Sequence, residues 1–319
     1  MRLALALVGV VGLGLVSLFV GVGDLSLADL WAGGPDGLAT QLLLISRLPR
    51  TLAIVLAGMA MGVAGLIMQM LSRNRFVEPS TAGTVEFAGL GLLTVTLVAP
   101  GLPVIGKMSV AAIFALIGTG IFLRILRSIP LRSALVVPLV GLMLGSVIEA
   151  MSTFIAYRYD LLQTLGVWMT GDFSGVLRGR YELLWLVAGL TAIAYLAADR
   201  FTVAGLGEEF TTNLGLNYRR VMTLGLSIVA VVSAVVVVTV GAIPFLGLVV
   251  PNIASLLVGD NLRRSIPWVA VLGAGFVLIC DIIGRLVRYP YEIPIGTVIG
   301  VVGSAIFLYL LLRRPARAA

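Results

Sequence analysis

Two carboxylates, Glu86 and Glu149, stand inside long apolar runs, and a third, Asp281, stands near the end of another. A carboxylate at the centre of a bilayer costs about 2.5 kcal/mol or more on insertion scales, so each should face a cavity, a partner or a pathway. Proton coupling is the sharpest chemistry such a pair could perform. Against it, the chain has no histidine, and no file of further carboxylates runs through the apolar segments. The missing histidine also removes imidazole metal ligands, a haem axial His and His-based acid–base or triad chemistry. The one cysteine, Cys280, lies in an apolar segment and can form neither an internal disulfide nor a thiolate metal cage. Met59, Met61, Met68 and Met70 could be read as soft copper ligands, but they spread over several faces of a helix. That pattern favours adaptable packing or a soft pore lining. GLPVIGKM (Gly101 to Met108) approaches a phosphate-cradling loop, yet Met108 replaces the Ser/Thr that would hold magnesium and no strand precedes it. Nucleotide hydrolysis by that route is excluded.

The elements that would position these residues follow from composition. Of 319 residues 60% are hydrophobic and 12% charged, against about 25% charged in a soluble domain. Stretches such as Thr51 to Ser72 and Val221 to Gly259 carry no charge, which excludes a soluble globular enzyme. The formal charge of +7 is dispersed as short clusters between apolar runs, the spacing of loop anchors rather than of a nucleic-acid surface. Ten segments read as spanning: 2–22, 51–71, 85–99, 108–126, 135–156, 183–198, 221–240, 245–258, 267–284 and 294–312. The third and eighth are short and read as tilted, broken or re-entrant. The first also has the pattern of a signal peptide, but its 21 uncharged residues, Leu3 to Gly23, are long enough to span.

The expected fold is therefore all-α, a polytopic membrane bundle of about ten helices forming a single transmembrane domain over residues 1–319. Basic residues such as Arg73, Arg75, Arg132, Arg263, Arg264, Arg313, Arg314 and Arg317 place both termini in the cytoplasm. The outer loops carry Asp24, Asp29 and Asp36, together with Arg47, Arg50, Lys107, Arg158, Arg178, Arg180, Arg285 and Arg288. These outer cations run against the charge bias; a positive rim suits an acidic partner or an anionic ligand, and snorkelling would also account for it. Gly58/Gly62, Gly141/Gly145 and Gly296/Gly300 have the spacing of close helix packing. Residues 199–220 form the one cytoplasmic stretch with helical content of its own. There Glu208 and Glu209 open a short helix, Phe210 and Leu214 share a face, and Gly215 stops it. Such a segment is an amphipathic connector or a docking helix for a cytoplasmic partner.

Five blocks carry a resemblance: RLPRTL (Arg47 to Leu52), GLIMQMLSRNRFVEPSTAGT (Gly65 to Thr84), GEEFTTNLGL (Gly207 to Leu216), GAIPFLGLVVPNIASLLVGDNLRRSIP (Gly241 to Pro267) and DIIGRLVRYPYEIPIGTVIG (Asp281 to Gly300). In this order the chain resembles the permease subunit of ABC importers for iron-siderophores, haem and cobalamin. The resemblance implies a ten-helix permease, a second identical or homologous permease, a cytoplasmic ATPase dimer carrying ATP and magnesium, and an extracytoplasmic binding protein. No cofactor is implied on this chain itself, and its remaining partner would be membrane lipid, not nucleic acid. The resemblance makes Arg47 and Arg285 the binding-protein docking residues. It makes Gly207, Glu208, Glu209, Phe210, Leu214 and Gly215 the ATPase coupling segment, and Asn74 and Phe76 part of the cytoplasmic gate. Glu86 and Glu149 remain candidate pathway residues. The chain departs from the family in three places: RNRFVEP where RNPLAEP is usual, VPN at Val250 to Asn252 where VPH is usual, and Glu86 where small or neutral polar residues are usual. Its PSTAGTVEFAGLG variant resembles the branch serving catecholate-type siderophores. The implied cargo is a ferric siderophore, with haem or cobalamin as the alternative within the family and an ion-coupled secondary transporter as the alternative outside it.

Overall fold

The computed structural model describes residues 2–21, 23, 37–128 and 136–312. Asp24, Asp29, Asp36, Arg132, Arg313, Arg314 and Arg317 lie outside the described residues. Among the described residues the regular elements are helical, with one isolated parallel bridge between Thr170 and Ala242. In chain order the helices are α1 (Arg2–Phe19), α2 (Leu38–Leu42), α3 (Leu48–Ser72), α4 (Thr84–Val98), α5 (Val104–Ser128), α6 (Val136–Arg158) and α7 (Leu162–Met169). They continue as α8 (Leu184–Leu196), α9 (Ala198–Ala204), α10 (Glu208–Asn213), α11 (Tyr218–Val240), α12 (Leu246–Val258), α13 (Leu262–Leu286) and α14 (Ile295–Leu312). A π-helical turn, Leu43–Arg47, joins α2 to α3, and a 3₁₀ turn, Pro79–Ala82, precedes α4. The chain is thus an all-α polytopic bundle. By length and composition, seven spans among the described residues can cross a membrane, or eight if α8 and α9, bent by 64°, are one span. Helices α4 and α12, the expected short segments, fall outside that count.

Prolines create the main local problem of this fold, because each removes an amide and frees the carbonyl four residues earlier. Pro49, at the start of α3, leaves the Ile45 carbonyl free beside the π-turn, and the Arg178 amide donates to it at 3.0 Å. Pro251, inside α12, frees the Gly247 carbonyl, and Gln69 Nε2 of α3 donates to it at 3.1 Å. Between α11 and α12 the chain runs without helix through Ala242 to Pro244. There the Ala242 amide donates to Met169 O at 3.3 Å, and the Asp172 amide donates to Val240 O at 2.8 Å. Broken backbone is tolerated at membrane depth only with such internal partners.

Helix α3 is the hub. Nineteen of its 25 residues are buried by protein, whereas in α1 only Ser17 is. Small residues let the neighbours in. A Cβ on Gly58 would lie 2.7 Å from the Gly273 carbonyl oxygen of α13, and Gly62 meets Val269 of the same helix. Gly65 lies against the Gly247 backbone of α12, leaving no room for a side chain. Gly141 and Gly145 receive Gly83 and the Glu86 side chain, and Gly296 receives Gly171, so these glycine pairs serve packing within the chain. The methionines of α3 follow suit: Met61 and Met68 are buried in the core.

Gly65→Ala should therefore destabilise the bundle by about 1–3 kcal/mol, since the clash is with backbone and no rotamer relieves it. Gly9→Ala in α1, where nothing lies within 4 Å of the added carbon, is the control and should lose nothing. A thermal melt of the purified protein compares the two.

Candidate functional site

The loop that carries Asn74 and Phe76 begins where α3 ends. Arg73 takes a left-handed conformation, with φ 50° and ψ 31°, and turns the chain out of the helix. Asn74 then folds the loop locally, its Oδ1 accepting the Phe76 amide at 2.9 Å. The Phe76 ring meets Phe307 of α14 edge to face, with centroids 5.9 Å apart. The two other departures from the family pattern in this region touch each other. Asn252 Nδ2, from α12, donates to the Arg75 carbonyl at 3.0 Å. The Arg75 guanidinium pairs with Asp260 at 2.6 Å, and Ser255 donates to the same carboxylate. Arg75 and Asn252 thus tie the loop to the middle of α12 and to the turn that follows it. Further along, Glu78 accepts from Ser80 at 2.6 Å and from the Phe245 amide, capping the start of α12.

The outer arginines are arranged differently from the expectation. A docking role for Arg47 and Arg285 requires exposed guanidiniums, yet the two residues are only 6% and 2% exposed. Arg47, in the π-turn, donates to the Val20 carbonyl and to Gly23 O at 3.3 Å. Arg285, on α13, donates to Ser17 O at 3.0 Å, Val20 O at 2.6 Å and Ser17 Oγ at 2.5 Å. Both therefore cap the C-terminus of α1, where helical carbonyls lack intrahelical donors and carry partial negative charge. Asp281 lies beneath, paired with Arg285 and with Arg50 at 2.8 Å, and Arg50 also reaches Glu292 at 2.7 Å. Asp281 is thus held as a buried counter-ion between two guanidiniums. Arg158, Arg178, Arg180 and Arg288 remain exposed.

The segment Gly207 to Leu216 forms the short helix that its sequence suggests. Helix α10 runs Glu208–Asn213, and Gly215 follows in a left-handed conformation, φ 78°. Thr211 anchors it, its hydroxyl donating to Gly207 O at 2.5 Å. Leu206, Phe210 and Leu214 stand out at 59%, 61% and 63% exposure, with Glu208 and Glu209 exposed beside them. Such an apolar stripe rimmed by charge marks a docking surface. Beneath it Gly207, φ 118°, lies directly against the Arg73 guanidinium, so a side chain there would collide with it. The 199–220 segment and the loop after α3 share that contact.

Glu86 and Glu149 are on adjacent helices but in unlike settings. Glu86, in the first turn of α4, packs on Gly145 of α6, and its Oε2 is buried without a hydrogen-bond partner. Glu149 is exposed on α6, a helix that is open around most of its circumference, with Met143, Ser146, Val147, Met151 and Phe154 also exposed. Sequence reasoning missed four features: the π-turn, helix α7, the capping role of the buried arginines, and the tie from Asn252 to Arg75. Pro49 was a visible signal for the first, since its missing amide disrupts helical bonding.

A model of the FecCD transport family matches residues 8–313. The chain is 50% identical over 318 residues to a petrobactin import system permease protein of Bacillus subtilis, covering 100% of both chains. It is 44% identical to a petrobactin import system permease protein of Bacillus anthracis, covering 97% of this chain and 90% of that one. A solved structure described as an inward-facing, metal-chelate type ABC transporter superposes with a TM-score of 0.82 at 22% identity, covering 98% of each chain.

The two roles for Arg285 separate by experiment. Breaking a buried ion pair costs about 3–5 kcal/mol, so Arg285→Ala should lower the melting temperature sharply, whereas Arg178→Ala should leave it unchanged. If Arg285→Ala melts like the parent and loses only affinity for a binding protein, the capping role is wrong.

Proposed function

Because the chain belongs to the FecCD transport family, we propose that it is the membrane permease of an ATP-driven importer carrying a ferric siderophore into the cell. It is a multi-pass protein of the cytoplasmic membrane and a transport subunit rather than an enzyme. The observation that carries the cargo class is the 50% identity, over the whole of both chains, to a permease of petrobactin import. Iron arrives wrapped in its chelator, so the pathway presents surface to an organic ligand and owes the metal no side chains.

In this reading both termini and residues 199–220 lie in the cytoplasm, and residues 1–319 act as one transmembrane domain. A cytoplasmic ATPase dimer, with its own ATP and magnesium, seats on Leu206, Phe210 and Leu214. A second permease completes the pathway against the open face of α6, where Glu149 would be costly in lipid. A substrate-binding protein docks on the opposite side, where exposed Arg158, Arg178, Arg180 and Arg288 form the positive rim. Arg47 and Arg285 hold the end of α1 beneath that rim. Docking and ATP-driven closure shift the balance between outward-open and inward-open states. The Gly207–Arg73 contact carries that shift from the ATPase surface to Asn74 and Phe76 in the gate.

Two measurements test this. Radio-iron uptake in a deletion strain and its complemented parent, with chelators supplied singly, should show loss confined to one siderophore class. Normal entry of every iron complex would sink the cargo assignment, and uptake that survives ATPase inactivation but collapses with the proton gradient would replace the mechanism. Leu214→Asp charges the docking stripe and should abolish coupled transport while the permease still folds; normal co-purification and transport would remove the coupling assignment.

A further inference from the structure

An apolar groove of about 320 Å³ opens between α3, α8 and α13, lined by Met59, Ala188, Thr191, Tyr195, Ile266 and Pro267. Its volume lies at the lower end of the range for ligand sites, about 300–1,000 Å³. Along α8 the lining runs from Ala188 to Tyr195, a length of roughly 10 Å at the helical rise per residue. That is a slot for a chain rather than a bowl for a rounded ligand. Thr191 does not make the slot polar, because its hydroxyl already donates to Val187 O at 2.7 Å.

The chemistry changes at one end. Arg263 and Arg264 precede Ile266 and Pro267 by about one helical turn, which puts them at the mouth of the groove on the same side of α13. The bend after Leu196 brings α9 across that mouth, where Asp199 pairs with Arg263 and Tyr195 faces the same guanidinium. Arg200 follows Asp199, and both Arg200 and Arg264 are exposed. Three arginines against one aspartate leave the mouth positive. Pro267 also has no amide to offer, so the Arg263 carbonyl lacks its helical donor and is available to a hydroxyl. A shallow apolar groove on the side of the bundle, bordered at one end by a tyrosine and arginines, is complementary to a molecule with an acyl chain and an anionic head.

We propose that this groove is a binding site for an anionic phospholipid of the inner leaflet, with an acyl chain between α8 and α13 and the phosphate at Arg264, Arg263 and Arg200. Basic pockets between transmembrane helices select anionic headgroups, with about 1 kcal/mol, or fivefold, for each arginine near the surface.

The assembled transporter, delipidated and then offered phosphatidylglycerol or phosphatidylcholine, should retain phosphatidylglycerol in preference by native mass spectrometry. Arg264→Gln should lower that retention about fivefold. Ala192→Trp, which fills the groove from an exposed position, should abolish it. A melting temperature for each variant checks folding, and Arg264→Gln, at an exposed position, keeps the test open if the tryptophan is not tolerated. Equal retention of the two lipids by the parent protein overturns the proposal, as does unchanged phosphatidylglycerol retention in a folded variant.

Discussion

Backbone that leaves a helix at membrane depth has no water to turn to, and every freed carbonyl must be met by the protein. Much of this structure answers that requirement. The carbonyl released by Pro49 is taken by the Arg178 amide and the one released by Pro251 by Gln69. The extended run between α11 and α12 exchanges bonds with the end of α7. The C-terminus of α1 is met by two arginines. In each case the partner comes from a segment distant in sequence, so the same bonds that satisfy the backbone fix how the helices sit together.

Charge inside the bundle obeys a related rule. Asp281 is tolerated because two guanidiniums and a hydrogen-bonding neighbourhood surround it, and truncation of any member leaves the others exposed to a low-dielectric interior. Glu149 has no such company and sits on an open face. The two carboxylates, alike in a hydropathy plot, are therefore opposite in kind: one is a girder, the other marks a surface that something other than lipid must cover.

Helical content and the segment positions were legible because long apolar runs with charged punctuation leave few alternatives. The third and eighth segments were legible as exceptions because their apolar runs are too short for a plain span. The short helix at Glu208 and its stop at Gly215 were visible from local signals. What sequence could not give was direction. Arg47 and Arg285 lie in outer segments and look like surface charge, and only the fold reveals that α1 ends beside them and turns them inward. The same holds for Asn252 and Arg75, which are 177 positions apart and read as two unrelated departures from a family pattern until they are seen to touch.

The contact between Gly207 and the Arg73 guanidinium has a consequence for modularity. A glycine offers bare backbone, with no rotamer that could yield before the arginine does, so the 199–220 segment and the loop after α3 are joined within one chain. On the proposed reading, an ATPase seated on Leu206, Phe210 and Leu214 would need only to match that stripe and would not have to reach Asn74 and Phe76. Exchange of engines between related importers would then be a matter of surface fit, with the transmission kept in the permease.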